Sequence, residues 1–332
     1  MLEGIKIASA VVFVLVVAIG CGGQGASGRG GASDGGPVRV VATYSILGDM
    51  VENVGGDGVE LTTLVGPEED THTFEPSPSD QATLSEADLV LENGLEFEPW
   101  LDDLYESSGS GATRAVVTKN IEPLAVEEGE HAGEKGDYHE EGGEHGDEEH
   151  AHEHGEHDPH VWHDVGSALT MVGTIRDALT EADPENAETY EENAGRYLAE
   201  LEELDAEVTE QAESIPDERR TLFTSHDTLG YFADRYGFEV DTALGSVSTE
   251  ASDPSAGETA VLAEEIRASG VPAIFAENVS NPALMERIAS EARVELAPPL
   301  FTDALGEPGT EGATYVEMER HNARTMAEAL SQ

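Results

Sequence analysis

His72, His160, His226 and Asp303 are the residues whose types could do chemistry together. His72 sits in Asp-Thr-His-Thr-Phe-Glu-Pro, His160 in Asp-Pro-His-Val-Trp, His226 in Thr-Ser-His-Asp and Asp303 in Leu-Phe-Thr-Asp-Ala-Leu-Gly. Each histidine lies beside a run that reads as the end of a strand, and Asp303 is placed comparably. Loops at the carboxyl ends of parallel strands are where α/β folds hold ligands. A lone loop histidine is usually incidental, so the weight rests on the joint placement. Three imidazoles and one carboxylate suit a tetrahedral Zn(II), with bonds of about 2.0–2.2 Å. Neutral imidazole is the ligand form, so affinity should fall below about pH 6.5.

A second group of histidines has a different character. Residues 127–157 hold seven histidines (His131, His139, His145, His150, His152, His154 and His157), thirteen acids and seven glycines. Such a stretch cannot bury enough apolar surface to offset its ordering entropy, and reads as a mobile loop. Its expected task is weak capture of metal, raising the local concentration near the fixed site. The alternative is an insertion with incidental affinity. Directly after it, Asp-Pro-His-Val-Trp surrounds His160 with a proline, a β-branched residue and an aromatic, the marks of a fixed position.

The 332 residues carry a net charge of −54, from 70 acids against 16 bases. Without basic patches to neutralise phosphate, nucleic acid is excluded as a partner. The acidity reads as solubility or adaptation to a salty medium. Cys21 is the single cysteine, so no internal disulfide or cysteine-rich zinc site forms. The apolar run 7–19 has the length of a signal-peptide core and is short for a membrane span. Val-Ala-Ile-Gly-Cys at 17–21 resembles a bacterial lipobox. The expectation is a signal peptide over 1–20, lipidation of Cys21 and a flexible tether over 21–37, the alternative being a plain N-terminal membrane anchor.

The elements that must position the four residues follow from the alternation of β-branched and helical runs, the pattern of an α/β fold. Strands are predicted at 38–43, 59–65, 88–91 and 115–118, with helices through Ile46 and Leu101, in a first lobe over 38–182. A helix is predicted from Val165 to Glu181. Asp183-Pro184 reads as the start of a long helix reaching Ser214, N-cap followed by proline. At 1.5 Å per residue it is on the order of 45 Å long and more than one lobe needs. A second lobe over 219–332 has strands at 221–224 and 273–276, helices through Leu229, Phe232 and Tyr236 and through Leu284, Ile288 and Ala292, and a C-terminal helix from about 313 to 330. Residues 249–257 read as a polar loop.

The chain resembles the ZnuA-type solute-binding lipoproteins of zinc and manganese ABC importers. The resemblance rests on Asp-Thr-His-Thr-Phe-Glu-Pro-Ser-Pro-Ser-Asp at 70–80, Asp-Pro-His-Val-Trp at 158–162 and Asp-Pro-Glu-Asn-Ala-Glu-Thr-Tyr at 183–190. The stretches 225–238 and 301–306 complete it, so it runs from Val38 to the end. It implies two Rossmann-like α/β lobes joined by one long rigid helix, with metal in the cleft between them. The ligands it implies are His72, His160, His226 and Asp303. It further implies a non-enzymatic monomeric receptor, lipid-anchored at the outer face of the bacterial cytoplasmic membrane, that passes its ion to a permease driven by an ATPase. Thr71 stands where the family usually has proline. His163 stands where an apolar residue is common, and reads as a surface histidine pointing away or as one that assists or competes with His160. Glu277 matches a family glutamate expected to support a ligand from behind. Manganese-preferring members put glutamate at the third ligand position, and His226 there favours Zn(II) over Mn(II). The rival classes are a manganese-preferring receptor, a zinc-dependent hydrolase, and an extracellular metal buffer or adhesin. The hydrolase lacks a His-Glu-x-x-His motif, Gly-Ala-Ser-Asp-Gly at 31–35 lies in the tether, and Ser225, His226 and Asp227 are adjacent, which is not how triads form.

Overall fold

Val38–Tyr44 (β1) is an almost unbroken apolar run with Val40, Val41 and Ala42 all buried, the mark of a strand covered on both faces. It lies inside a four-stranded parallel sheet of order β2-β1-β3-β4, formed with Val59–Val65 (β2), Leu89–Glu92 (β3) and Thr113–Val116 (β4). Val40 pairs with Leu61 on one side and Leu89 on the other, so the strands' carboxyl ends gather at one edge. The computed structural model describes residues 36–126, 157–246, 248–249 and 254–332. The predicted signal peptide, Cys21, the tether up to residue 35 and the six histidines from His131 to His154 lie outside the described residues.

Helices cover this sheet. Ser45–Gly55 (α1) buries Ile46, Leu47, Met50, Val51 and Val54, spaced to form one apolar face. Pro78–Glu86 (α2) begins with a capping box in which Ser77 and Asp80 satisfy each other's backbone. Leu101–Ser108 (α3) follows. Val165–Ala182 (α4) is started by Asp164, whose carboxylate accepts from Gly166 N at 2.8 Å and Ser167 N at 3.1 Å.

Ala187–Glu213 (α5) is one uninterrupted helix of 27 residues, about 40 Å long at 1.5 Å per residue. Its buried stripe is Tyr190, Ala194, Tyr197, Leu201, Leu204, Val208 and Ala212, stepping by three and four. Its two ends serve different partners. Near its start, Asn193 donates to the Val54 carbonyl of α1 at 3.0 Å. Farther along, Asp205 accepts from Arg235 and Tyr236, and Glu207 pairs with Arg320.

Those partners belong to the second half. Thr221–Thr224 (β5) pairs in parallel with Glu239–Thr242 (β6), and Ala273–Glu277 (β7) with Glu295–Leu300 (β8). Gly230–Tyr236 (α6), Ala256–Ser269 (α7), Ala283–Ala292 (α8) and Tyr315–Leu330 (α9) complete it. The ends of β5 and β7 are joined where Ser225 N donates to Glu277 Oε1 at 2.8 Å. No helix among the described residues is long and apolar enough to cross a membrane.

Four elements were not predicted. β6 is mostly polar, and β8 contains Pro298 and Pro299, which an interior strand could not accept but an outer one can. α2 buries only Leu84, so it shows no apolar stripe. α7 takes the last two residues of the polar loop predicted over 249–257, and its start is signalled by the Ser255–Glu258 capping box.

One buried acid ties three helices together. Asp49 of α1 accepts from Tyr315 N of α9 at 3.1 Å and from the Tyr197 hydroxyl of α5 at 3.3 Å. Burial outweighs those bonds and pushes its carboxyl up to about 6. A carboxyl raised on folding stabilises most below its unfolded value, and that contribution is lost as pH rises through the folded one. Asp49→Asn should therefore gain on the native protein between pH 4 and pH 7, by on the order of 3 kcal/mol, in urea unfolding at the two pH values.

Candidate metal centre

Each of the four residues is delivered by the end of an element and then fixed by a second side chain. His72 lies on the loop after β2, where its backbone N–H donates to Asp70 Oδ1 at 2.9 Å and Trp100 Nε1 donates to the Thr71 carbonyl at 2.9 Å. His160 precedes a single 3-10 turn, and Asp158 Oδ1 takes both its backbone N–H at 2.9 Å and its Nδ1 at 2.7 Å. Asn93, at the end of β3, donates to the Pro159 carbonyl at 2.9 Å and so hangs this segment on the first sheet. His226 follows β5, with Glu277 Oε1 accepting its N–H at 3.1 Å and Glu277 Oε2 lying 2.5 Å from its Nδ1. Asp303 follows β8, with Thr228 donating to Oδ1 at 3.2 Å. Trp162, fully buried, donates from Nε1 to the Thr302 carbonyl at 3.0 Å and locks the His160 and Asp303 segments to each other.

Asp158 bonds Nδ1 of His160 and Glu277 faces Nδ1 of His226, which leaves their Nε2 atoms toward a shared centre. His72 Nε2 lies 3.4 Å from His160 Nε2 and 3.6 Å from Asp303 Oδ2. His160 Nε2 is 3.5 Å from Asp303 Oδ1, and His226 Nε2 is 3.1 Å from Asp303 Oδ2. A tetrahedron with bonds of about 2.0–2.1 Å has edges of roughly 3.3–3.4 Å; these four separations lie near that length, and all four ligand atoms lie within 4.8 Å of one another. His226 Nε2 and Asp303 Oδ2 are buried without a hydrogen-bond partner among the described residues, although they face each other. Such groups are costly to bury unless an ion or water completes them. The four residues form the one His/Cys/Asp/Glu group among the described residues able to hold a metal.

The electrostatics follow from burial and neighbours. Burial pushes His72 down to about 3, with Asp303 opposing and the other two imidazoles adding to the fall. Burial also acts to lower His226, but Glu277 and Asp303 on its two sides outweigh it and raise it well above the usual histidine value. Burial would raise Asp303, yet His226 and then His160 hold it well below the carboxylate range. The two flanking carboxylates therefore favour a proton on His226, so protons compete with a cation there more strongly than at an ordinary imidazole.

His163 is neither exposed nor a member of the cluster. It is fully buried, with Nδ1 at 2.9 Å from Glu319 Oε1 of α9, and burial raises the Glu319 carboxyl. The expectation of a surface histidine pointing away is therefore corrected, and His163 lies outside the group of four. Glu277 sits behind His226. His157, half-buried, pairs through its backbone with Ala125 and takes no part in the cluster. The sequence reading missed Asp158, Thr228, Asn93 and Glu98. Asp158 was findable, since an aspartate two residues before a fixed histidine commonly turns back onto it. Glu98 accepts from Thr43 at 2.7 Å, Asn93 N at 2.7 Å and Gly94 N at 3.2 Å, and burial pushes it up to about 7. No local pattern distinguishes it from its exposed neighbour Glu96.

Comparison with known proteins identifies the family and the fold. Residues 40–329 match the family described as zinc-uptake complex component A, periplasmic (ZnuA). The chain is 33% identical over 319 residues to the manganese-binding lipoprotein MntA of Halalkalibacterium halodurans, covering 96% of this chain and 97% of the relative. It is 34% identical over 306 residues to the zinc-binding protein TroA of Treponema pallidum, covering 91% of each. The solved structure of periplasmic TroA superposes with a TM-score of 0.77 at 32% identity, over 90% of this chain and 100% of that one. A manganese-bound periplasmic metal binding protein from Candidatus Liberibacter asiaticus gives 0.74 at 25% identity, over 88% and 99%.

A proton on His226 must leave when an ion arrives. Calorimetric titration with Zn(II) at pH 7, in buffers of different ionisation enthalpy, should report release of about one proton per ion, and apparent affinity should fall about tenfold per pH unit on acidification. Glu277→Gln should lower the proton release.

Proposed function

The chain belongs to the zinc-uptake complex component A family, whose members are solute-binding receptors for metal transport and not enzymes, and on that premise we propose that it is an extracytoplasmic zinc receptor of an ABC-type importer. The single observation that carries this reading is the buried cluster of three imidazoles and one carboxylate whose ligand atoms all lie within 4.8 Å of one another. A nitrogen-rich set of that size suits Zn(II), whereas Mn(II) prefers more oxygen donors and a higher coordination number. In this reading the protein holds Zn(II) as cargo between its two lobes and passes it to a permease powered by an ATPase. Lipidation of Cys21 would keep it at the outer face of the cytoplasmic membrane, and the acidic histidine run would gather ions for the fixed site. A relative named as a manganese ABC transporter substrate-binding lipoprotein, PsaA of Streptococcus anginosus, supports both the importer and the lipid anchor.

Manganese is the second reading, and one feature favours it besides that relative's name. Both oxygens of Asp303 face the imidazoles, Oδ1 toward His160 and Oδ2 toward His226 and His72. Two-oxygen binding by Asp303 would give five donors, which Mn(II) accommodates better than four.

Competition between Zn(II) and Mn(II) on the purified domain separates the two readings, zinc winning by at least about a hundredfold if the four-donor reading holds. His160→Ala should weaken zinc binding by a comparable factor, because it removes a ligand and leaves Asp158 buried without its partner. Deleting residues 127–156 should leave the tight site intact. Loss of tight binding in that deletion alone would move the site to the histidine run and overturn the assignment.

A further inference from the structure

Beside two of the four candidate ligands stands an aromatic ring held in a strained loop, next to Trp162, whose ring meets His160 at 5.4 Å. Phe97 is fully buried and its ring stands edge-on to His72 at 5.0 Å and to His160 at 5.9 Å. Tyr44 and Trp162 pack against its other sides, each at 4.9 Å between ring centroids. The loop that delivers it runs through three successive residues in the left-handed region: Gly94 at φ 81°, Leu95 at 55° and Glu96 at 62°. Leucine and glutamate rarely adopt that backbone, and runs of such residues persist only where surrounding contacts over-determine them. Here the contact is Glu98, which accepts from Thr43, Asn93 N and Gly94 N and so clamps both ends of the turn. His160, His226 and Asp303 have no exposed surface, and His72 is 7% exposed.

We propose that Phe97 is a specificity-determining residue: its ring is the dry wall that confines the ion to the four protein donors and denies water a further coordination position. This rests on the four-donor reading of the site. Zn(II) is satisfied by four ligands, whereas Mn(II) and other ions that favour octahedral shells would have to bind with positions unfilled. Excluding water at this wall therefore discriminates against them without touching the ion. The strain of the loop is the cost of placing an apolar ring where a solvated loop would otherwise admit water.

Co(II) is the probe, because a tetrahedral site lacks an inversion centre and gives intense visible bands, while a six-coordinate site gives weak ones. The native protein loaded with one equivalent of Co(II) should show the intense spectrum. Phe97→Ala should lose most of that intensity at saturating Co(II), and its preference for Zn(II) over Mn(II) should narrow by about tenfold or more. Phe97→Leu, which refills the wall with an apolar side chain, should restore most of both. A weak spectrum in the native protein, an unchanged spectrum and metal preference in Phe97→Ala, or a Phe97→Leu variant no better than Phe97→Ala would each overturn the proposal. Stoichiometric binding of Co(II) that His160→Ala abolishes keeps the receptor reading intact in all three cases, so failure of the wall is distinguishable from failure of the site.

Discussion

Four electron-rich donors from four distant segments converge within a few ångströms, and the rest of the fold exists to hold them there. In a metal-free site, three imidazole nitrogens and a carboxylate cannot all be satisfied by one another: His226 Nε2 and Asp303 Oδ2 lie 3.1 Å apart yet form no aligned hydrogen bond. Both are buried, so water from bulk does not solve the problem cheaply. What keeps the arrangement is a ring of polar contacts behind it. Asp158 fixes His160, Glu277 fixes His226, and Thr228 fixes Asp303. These contacts select which nitrogen faces inward, and a divalent cation is the species that such a set completes.

Distance through the fold explains why the frame is built as it is. His72 and His160 hang on the first sheet, His226 and Asp303 on strands of the second half, so the site is only as firm as the link between the halves. Three kinds of contact make that link. The helix α5 packs its early part on α1 and its later part on α6 and α9. Trp162 and Tyr315 cross-tie the His160 segment to the second half, Trp162 through the Thr302 carbonyl and Tyr315 through the Trp162 carbonyl at 2.6 Å. Between loops of the two halves, Asp70 Oδ2 accepts from Thr249 at 2.5 Å, and Glu68 N donates to the Leu305 carbonyl at 2.9 Å. A receptor that must release its cargo needs links that part without unfolding either half, and these polar pairs are of that kind.

The residues of the site were legible before the structure because each sits in a short motif with a physical signature. Proline and tryptophan flank His160, strand-ending runs precede His72 and His226, and the long helix announces itself with Asp183-Pro184. The supporting shell was less legible. Asp158 had a readable spacing to His160, but Thr228 and Asn93 are ordinary loop residues in sequence and acquire meaning only through tertiary contacts. His163 shows the opposite error. Its chemistry drew attention, while its burial against Glu319, 156 residues away, depended on how α9 packs, which no local pattern encodes. The missed strand β8 failed for a related reason: two prolines argue against a strand unless its outer position is already known.

Whether one ion sits among His72, His160, His226 and Asp303 is open to direct measurement. Crystals grown with one equivalent of Zn(II), with anomalous difference density recorded at the zinc edge, test it directly. A single peak at about 2.0–2.2 Å from the three Nε2 atoms and an Asp303 oxygen is the expected result. A peak elsewhere, or one coordinated by fewer than three of these residues, would contradict the account.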